Sequence, residues 1–358
     1  MKKRFLSLLC VLALCLGLLP VTALAAGEDA PGKLWVGQTQ ITESDYWKTT
    51  DDGKLTSNGA SANDYNVYYD GNGTLTLNGA TIQGGTSTVS VPYDAGIYAQ
   101  CSNGQSVTLT IKLIGENTIT GTYGIFLNAE ISASSYGTDA TLTITDENNG
   151  SLGVSGSDHG IYVKSGTGNA SLNIKNVAVT SSTNGNYAAG VYVMSSSNAT
   201  GSPKLSLAVN GGSLTASGGT RSDGILFNVE SSQATGATTS LTVSENAIVD
   251  ARNGEISATG VNITPKLNIG STGSTGGIVW NGAEGTVYGN VTLDESLTIN
   301  QGETLTVPDG SSLNCNGNLT NNGTIIVEKG GNLTGDPGGT VISAPTIGTQ
   351  PASQTVTK

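Results

Sequence analysis

A motif that returns about every thirty residues constrains this chain more than any other feature. Gly96-Ile97-Tyr98 recurs as Gly124-Ile125-Phe126, Gly160-Ile161-Tyr162, Gly190-Val191-Tyr192, Gly224-Ile225-Leu226 and Gly277-Ile278-Val279. A second motif keeps step with it: Leu75-Thr76-Leu77, Leu109-Thr110-Ile111, Leu142-Thr143-Ile144, Leu172-Asn173-Ile174, Leu205-Ser206-Leu207, Leu241-Thr242-Val243 and Leu267-Asn268-Ile269, at spacings of 34, 33, 30, 33, 36 and 26 residues. Two strand-forming motifs in fixed order at one period are the signature of a solenoid, whose units bury their apolar faces against one another.

Within Leu-Thr-Ile the two-residue period points Leu and Ile inward and the middle residue outward. The outward series Thr76, Thr110, Thr143, Asn173, Ser206, Thr242 and Asn268 has no apolar member, so one face of this sheet is wet. Equivalent strands are separated by a whole coil and are therefore parallel. Asn78-Gly79, Asn117, Asn149-Gly150, Asn176, Asn210-Gly211 and Asn246 follow the strand and suit corners that need left-handed backbone. The expected fold is all-β, a right-handed parallel β-helix, the hand following from crossover chirality.

The chain divides accordingly. Residues 1–26 read as a secretory signal peptide: Lys2, Lys3 and Arg4, an apolar run from Phe5 to Leu19, then Ala23-Leu24-Ala25 as a cleavage site. Residues 33–70 break the repeat and carry Trp35, Trp47, Tyr65, Tyr68 and Tyr69, which fits an aromatic cap over the first coil. Residues 71–285 hold the long coils. In residues 286–342 the apolar positions tighten to steps of six to eight residues, giving a short-coil continuation. Residues 343–358 read as a linker or as the start of a truncated immunoglobulin-like domain, whose opening strand Pro345-Thr346-Ile347-Gly348-Thr349-Gln350-Pro351 resembles.

Removing the leader leaves 12 basic against 27 acidic residues, a net charge near −15, which disfavours nucleic acid as a partner. No segment after the leader is apolar enough to span a membrane as a helix. Cys101 and Cys315 lie at opposite ends of the solenoid. With coils stacked about 4.8 Å apart they sit roughly 30 Å from each other, beyond disulfide reach.

The GIY and LTI repeats, Leu34-Trp35-Val36-Gly37 with Ile41-Thr42, and Tyr69-Asp70 leading into Thr74-Leu75-Thr76-Leu77 resemble the pectin-lyase-like right-handed parallel β-helix superfamily. More narrowly, the chain is similar to exported surface and carbohydrate-binding proteins of Gram-positive, clostridia-like bacteria. The resemblance covers residues 33 to about 340. It implies lyase, hydrolase, sugar-binding or adhesin roles alike.

The residues narrow that range. Hydrolases of this fold resemble one another in clustered aspartates beside a Gly-His-Gly and an Arg-x-Lys pair. Here the only histidine, His159, occupies a repeat slot shared with Ala95, Tyr123, Ala189 and Asp223, and no Arg-x-Lys follows. Asp94 and Asp158 share another slot, with the coil of Tyr123 between them. Lyases of the fold pair calcium-binding carboxylates with a base. None of Lys112, Lys164, Lys175, Lys204, Arg221, Arg252 or Lys266 faces an acidic cluster in register. No catalytic residue and no cofactor or metal is assigned; calcium between coils is compatible with the fold but specified by nothing.

What remains is aromatic. Alternation sends Tyr98, Phe126, Tyr162 and Tyr192 outward from four neighbouring coils as a ladder. Exposed, it is a platform for sugar rings; the alternative is a ladder covered by the loops 128–140, 194–203 and 228–239, which the rarity of large apolar patches on soluble surfaces favours. Phe227 and Trp280 fall in inward slots. The expectation is a monomeric, secreted or cell-wall-associated, non-catalytic protein whose partner is a polysaccharide or other glycan. A polysaccharide lyase or glycoside hydrolase and a passive stalk are the rivals.

Overall fold

The computed structural model describes residues 29–85, 94–102, 104–132 and 135–344. The leader 1–26 and residues 345–358 of the linker lie outside the described residues. The described chain is all-β, a parallel solenoid of about six turns.

Each long coil contributes three strands. The first face stacks Thr74–Asn78, residues 107–113, 140–145, 170–175 and 204–210, Thr238–Ser244 and Leu267–Ser271, all parallel. The second begins at Thr81–Gln83 and ends at Gly277–Asn281. The third runs from Ala95–Gln100 to Ile256–Gly260. Leu109, Ile111, Leu142, Ile144, Leu172 and Ile174 are fully buried, as are Ile97, Ile125, Ile161, Val191 and Ile225. Each such side chain contributes about 1.5–3 kcal/mol of burial.

The register differs from the motif alignment in one instructive way. Leu75 pairs with Ile111 rather than Leu109, Leu172 with Leu207 rather than Leu205, and Leu241 with Ile269 rather than Leu267. Each slip is two residues, which keeps every side chain on its own face. The Gly-Ile-Tyr column holds from Ile97 through Ile225, but the copy at Gly277 pairs with Ala247 on the second face, and Ile256 succeeds Ile225 instead.

Glycine in that motif has a steric cause. A Cβ on Gly96, Gly124, Gly160 or Gly190 would lie 2.6–2.9 Å from the carbonyl oxygen of the equivalent glycine one coil on. The corner between first and second faces uses left-handed backbone at Gly79, Gly115, Asn149, Asn176, Gly211 and Asn246. Asn117, buried, accepts from Ala80 N at 2.8 Å and donates to Gly115 O at 2.9 Å, joining two coils.

Residues 33–70 cap the first coil with antiparallel strands. Lys33–Val36 pairs with Ala95–Gln100, and Val67–Tyr69 pairs with Thr74–Asn78. Leu34, Val36, Ile41, Trp47, Val67 and Tyr69 enter the core. Tyr46, Tyr65 and Tyr68 face outward, with Tyr46 stacked on Tyr68 at 4.4 Å.

At the other end Gly277–Asn281 turns back through Gly282 and pairs antiparallel with Glu284–Tyr288, which then heads a parallel stack of short strands. The sheet continues, but the core does not. Val279 faces the long-coil core, whereas Ile278 and Trp280 face a second core with Val287, Leu305 and Ile325. Trp280 is thus buried, though on the side opposite to the long-coil interior. Arg252 ties the two parts: it lies 4.9 Å over the Trp280 ring and pairs with Asp250 and Glu303 at 2.6 and 3.0 Å.

Candidate functional site

The third face brings Tyr98, Phe126, Tyr162 and Tyr192 into one register, each opposite the next. Trp35 of the cap pairs with Tyr98 and extends the row by one ring. Because parallel coils place equivalent side chains directly above one another, the rings meet face to face along the axis. Phe126 and Tyr162 stack at 4.4 Å and 1°, Tyr162 and Tyr192 at 4.9 Å and 21°, while Tyr98 meets Phe126 edge-on at 5.5 Å. Each contact adds about 0.5–1.5 kcal/mol beyond burial.

Tyr98, Phe126 and Tyr162 are buried and Tyr192 is half-buried. The outer polar margin is built two residues on. Asn128 Nδ2 donates to Tyr98 Oη at 3.3 Å, and Asn228 Nδ2 donates to Tyr192 Oη at 2.8 Å. Lys164 and Glu130 form an ion pair at 2.5 Å, and the Tyr162 hydroxyl points at the Met194 sulfur. Burial pushes the Tyr162 phenol well above its ordinary range, with Tyr192 and Glu230 adding to it.

Three residues ahead of the ladder runs a parallel row made of the repeat slot that holds Ala95, Tyr123, His159, Ala189 and Asp223. Tyr123 lies 5.1 Å from Phe126, and His159 lies 4.6 Å from Tyr192. Tyr123 is pushed up to about 12, by burial first and by Asp158 and Asp94 next. Its phenol therefore stays protonated at neutral pH.

His159 Nδ1 accepts from the Ala189 N–H at 2.9 Å, which fixes the neutral tautomer with its proton on Nε2, 3.5 Å from Asp158. Neither nitrogen then keeps a free lone pair for proton abstraction. Burial lowers its pKa, opposed by Asp158. Neutral His159 is thus the folded form, and its stabilisation is lost as pH falls from the ordinary histidine value through the lower folded one. Proton NMR is expected to show a His159 titration midpoint below 6.5; a midpoint at or above that value would contradict this placement.

Beside this row, the corner between second and third faces is an open edge. Gly84, Gly85, Gly121, Thr122 and Ser157 line one depression, and Arg221, Ser222, Asp223, Gly254, Glu255 and Gly282 line another further along the axis. Among the described residues no group of three or more His, Cys, Asp or Glu side chains is placed to hold a metal ion, and no helix is long and apolar enough to cross a membrane. Cys101 and Cys315 are buried free thiols. No family model, curated protein or solved structure matches this chain.

Tyr123 and His159 carry the same outward aromatic character as the ladder. Their three-residue offset from the Gly-Ile-Tyr aromatic was visible in the repeat, but only at two coils.

Proposed function

We propose that this chain is a non-catalytic, exported β-solenoid that binds carbohydrate at its outer surface. Tyr98, Phe126, Tyr162 and Tyr192 form the row that receives the ligand. One observation carries this reading: an aromatic row bordered by the polar side chains of Asn128, Asn228, Glu130 and Lys164. A sugar presents apolar C–H faces and hydroxyls together, so its site needs rings beside hydrogen-bonding groups. Contact falls at the half-exposed Tyr192 end; the buried rings hold Tyr192 in place by stacking on it. Membership of the pectin-lyase-like superfamily, a cell-wall or secreted location, an adhesin role and action as a monomer belong to the same reading. They are supported by the Gly-Ile-Tyr repeat and the leader. No cofactor is required for stacking and hydrogen bonding.

A hydrolase would need Asp94 and Asp158 to flank one glycosidic bond with water or substrate between them. Ala95 pairs with Tyr123 and Tyr123 with His159, so a whole coil separates Asp94 from Asp158.

The test is binding of the purified chain to an array of immobilised neutral and acidic glycans, with Tyr192→Ala beside it. Retention by at least one glycan is expected, weakened at least about five-fold by Tyr192→Ala with an unchanged circular dichroism spectrum. A wild-type chain that no glycan retains would overturn the reading.

A further inference from the structure

The strongest unassigned feature is the outer edge at Tyr187 and Arg221. Tyr187 is 73% exposed, and its backbone is left-handed at φ 60°. Arg221, in the corresponding corner of the next coil, has φ 59°. The left-handed region suits glycine and asparagine, and this chain uses asparagine there at Asn149, Asn176, Asn246, Asn262 and Asn316. At Tyr187 the neighbours Asn184, Gly185 and Asn186 show that permissive residues were at hand. A bulky ring held open to water in a disfavoured conformation is unexplained by packing, and strain of this kind points to use.

The two side chains are organised with respect to each other. Arg221 Nη1 donates to Tyr187 Oη at 3.0 Å, and among the described residues Arg221 forms no ion pair. Beneath them Ser222 Oγ donates to Gly185 O at 2.9 Å and accepts from Ala188 N at 3.1 Å, locking one corner onto the other. Arg221 then leads into the depression shared with Asp223, Gly254 and Glu255. Asp223 is oriented there by Ser257, which donates to its Oδ1 at 2.6 Å. An open ring face, a guanidinium and two carboxylates thus line one edge across neighbouring coils.

We propose that Tyr187, Arg221, Asp223 and Glu255 form a subsite for a neutral, hydroxyl-rich glycan. One pyranose lies on the Tyr187 ring. Arg221 donates to a ring or hydroxyl oxygen, and Asp223 and Glu255 accept from sugar hydroxyls. A polyanionic chain would meet two carboxylates here on a protein of net charge −12, which selects against uronate polymers. The subsite rests on the carbohydrate-binding reading above and gives it a location and a charge preference.

Tyr187→Asn and Arg221→Asn test it, because asparagine tolerates the left-handed backbone. Binding to cellohexaose, maltohexaose and polygalacturonate is measured by calorimetry for wild type, both variants and Tyr192→Ala, with melting temperatures for all. Expected are wild-type binding to a neutral hexamer but not to polygalacturonate, and on the order of ten-fold weaker binding in each asparagine variant, with melting temperature unchanged or raised. Wild-type strength in both asparagine variants, or preference for polygalacturonate, overturns the subsite. If Tyr192→Ala alone loses binding, the subsite falls while the carbohydrate reading stands. If wild type binds none of the three, the subsite as drawn falls, and the glycan array above decides the broader reading.

Discussion

Alanine at Gly124 is expected to destabilise the long coils by about 3 kcal/mol, at the upper end of what overpacking costs. The added Cβ would lie 2.2 Å from Val154 Cγ1 and 2.7 Å from Gly160 O. The valine can rotate, but the carbonyl belongs to the next coil and cannot leave without moving that coil. Such movement would spread, because a Cβ on Gly160 is just as tightly placed, 2.6 Å from Gly190 O. Gly153→Ala is the control, since its Cβ would find only Asn117 O at 3.9 Å. That variant is expected within about 0.5 kcal/mol of wild type, toward greater stability, as alanine loses less backbone freedom on folding. Urea midpoints measure both. Equal midpoints would mean that close coil approach is not why glycine recurs in the repeat.

The same glycine column explains how much of the fold was legible in the sequence. Glycine at a fixed place before an inward Ile or Val is a steric demand of stacking, so it recurs along the third face from Gly96 to Gly224 and lapses at the last coil, where Glu255 precedes Ile256. That is why the register from Ile97 to Ile225 follows the motif. The Leu-Thr-Ile motif has no comparable anchor. Leu109-Thr110-Ile111-Lys112-Leu113 alternates through three inward positions, and Leu75 can pair with the first or second without changing face. Corner geometry chooses between them, and corners differ in length from coil to coil. Gly277-Ile278-Val279 shows the opposite limit. Its residues satisfy the motif locally, yet it closes the second face, and its alternate side chains serve two cores. A pattern of inward and outward residues cannot reveal that the outer side will itself be covered.

The candidate site was legible to the extent that it follows from alternation. Tyr98, Phe126, Tyr162 and Tyr192 do share one column. That their rings would stack on each other rather than lie open follows from stacking side chains at coil spacing. Trp35 joins the row through an antiparallel cap pairing that no repeat encodes. Tyr187 and Arg221 lie in corners of unequal length, where position in sequence says little about position in space.

Above pH 10 the fold is expected to fail in step with its tyrosines. Tyr69, Tyr98, Tyr162, Tyr192 and Tyr288 are all raised from the ordinary phenol value of 10.0, burial being the first cause in each. Tyr123 reaches about 12. In the unfolded chain these phenols lose their protons near 10, whereas the folded chain retains them, so stability falls with rising pH. Their contribution is complete below pH 10 and is lost as pH climbs through the raised folded values toward about 12. Every raised phenol adds to this loss, the half-exposed Tyr123 and Tyr288 least because solvent screens them. Tyrosinate absorbance and the β-sheet circular dichroism signal should therefore change together, in one steep transition above pH 10. Tyr162→Phe should move that transition upward, since it keeps the ring between Phe126 and Tyr192 and removes a buried ladder hydroxyl that is raised well above the ordinary phenol value. Tyrosines that all ionise near pH 10 while the sheet signal stays intact would mean that the whole ladder is open to water, and carbohydrate contact would then not be confined to the Tyr192 end.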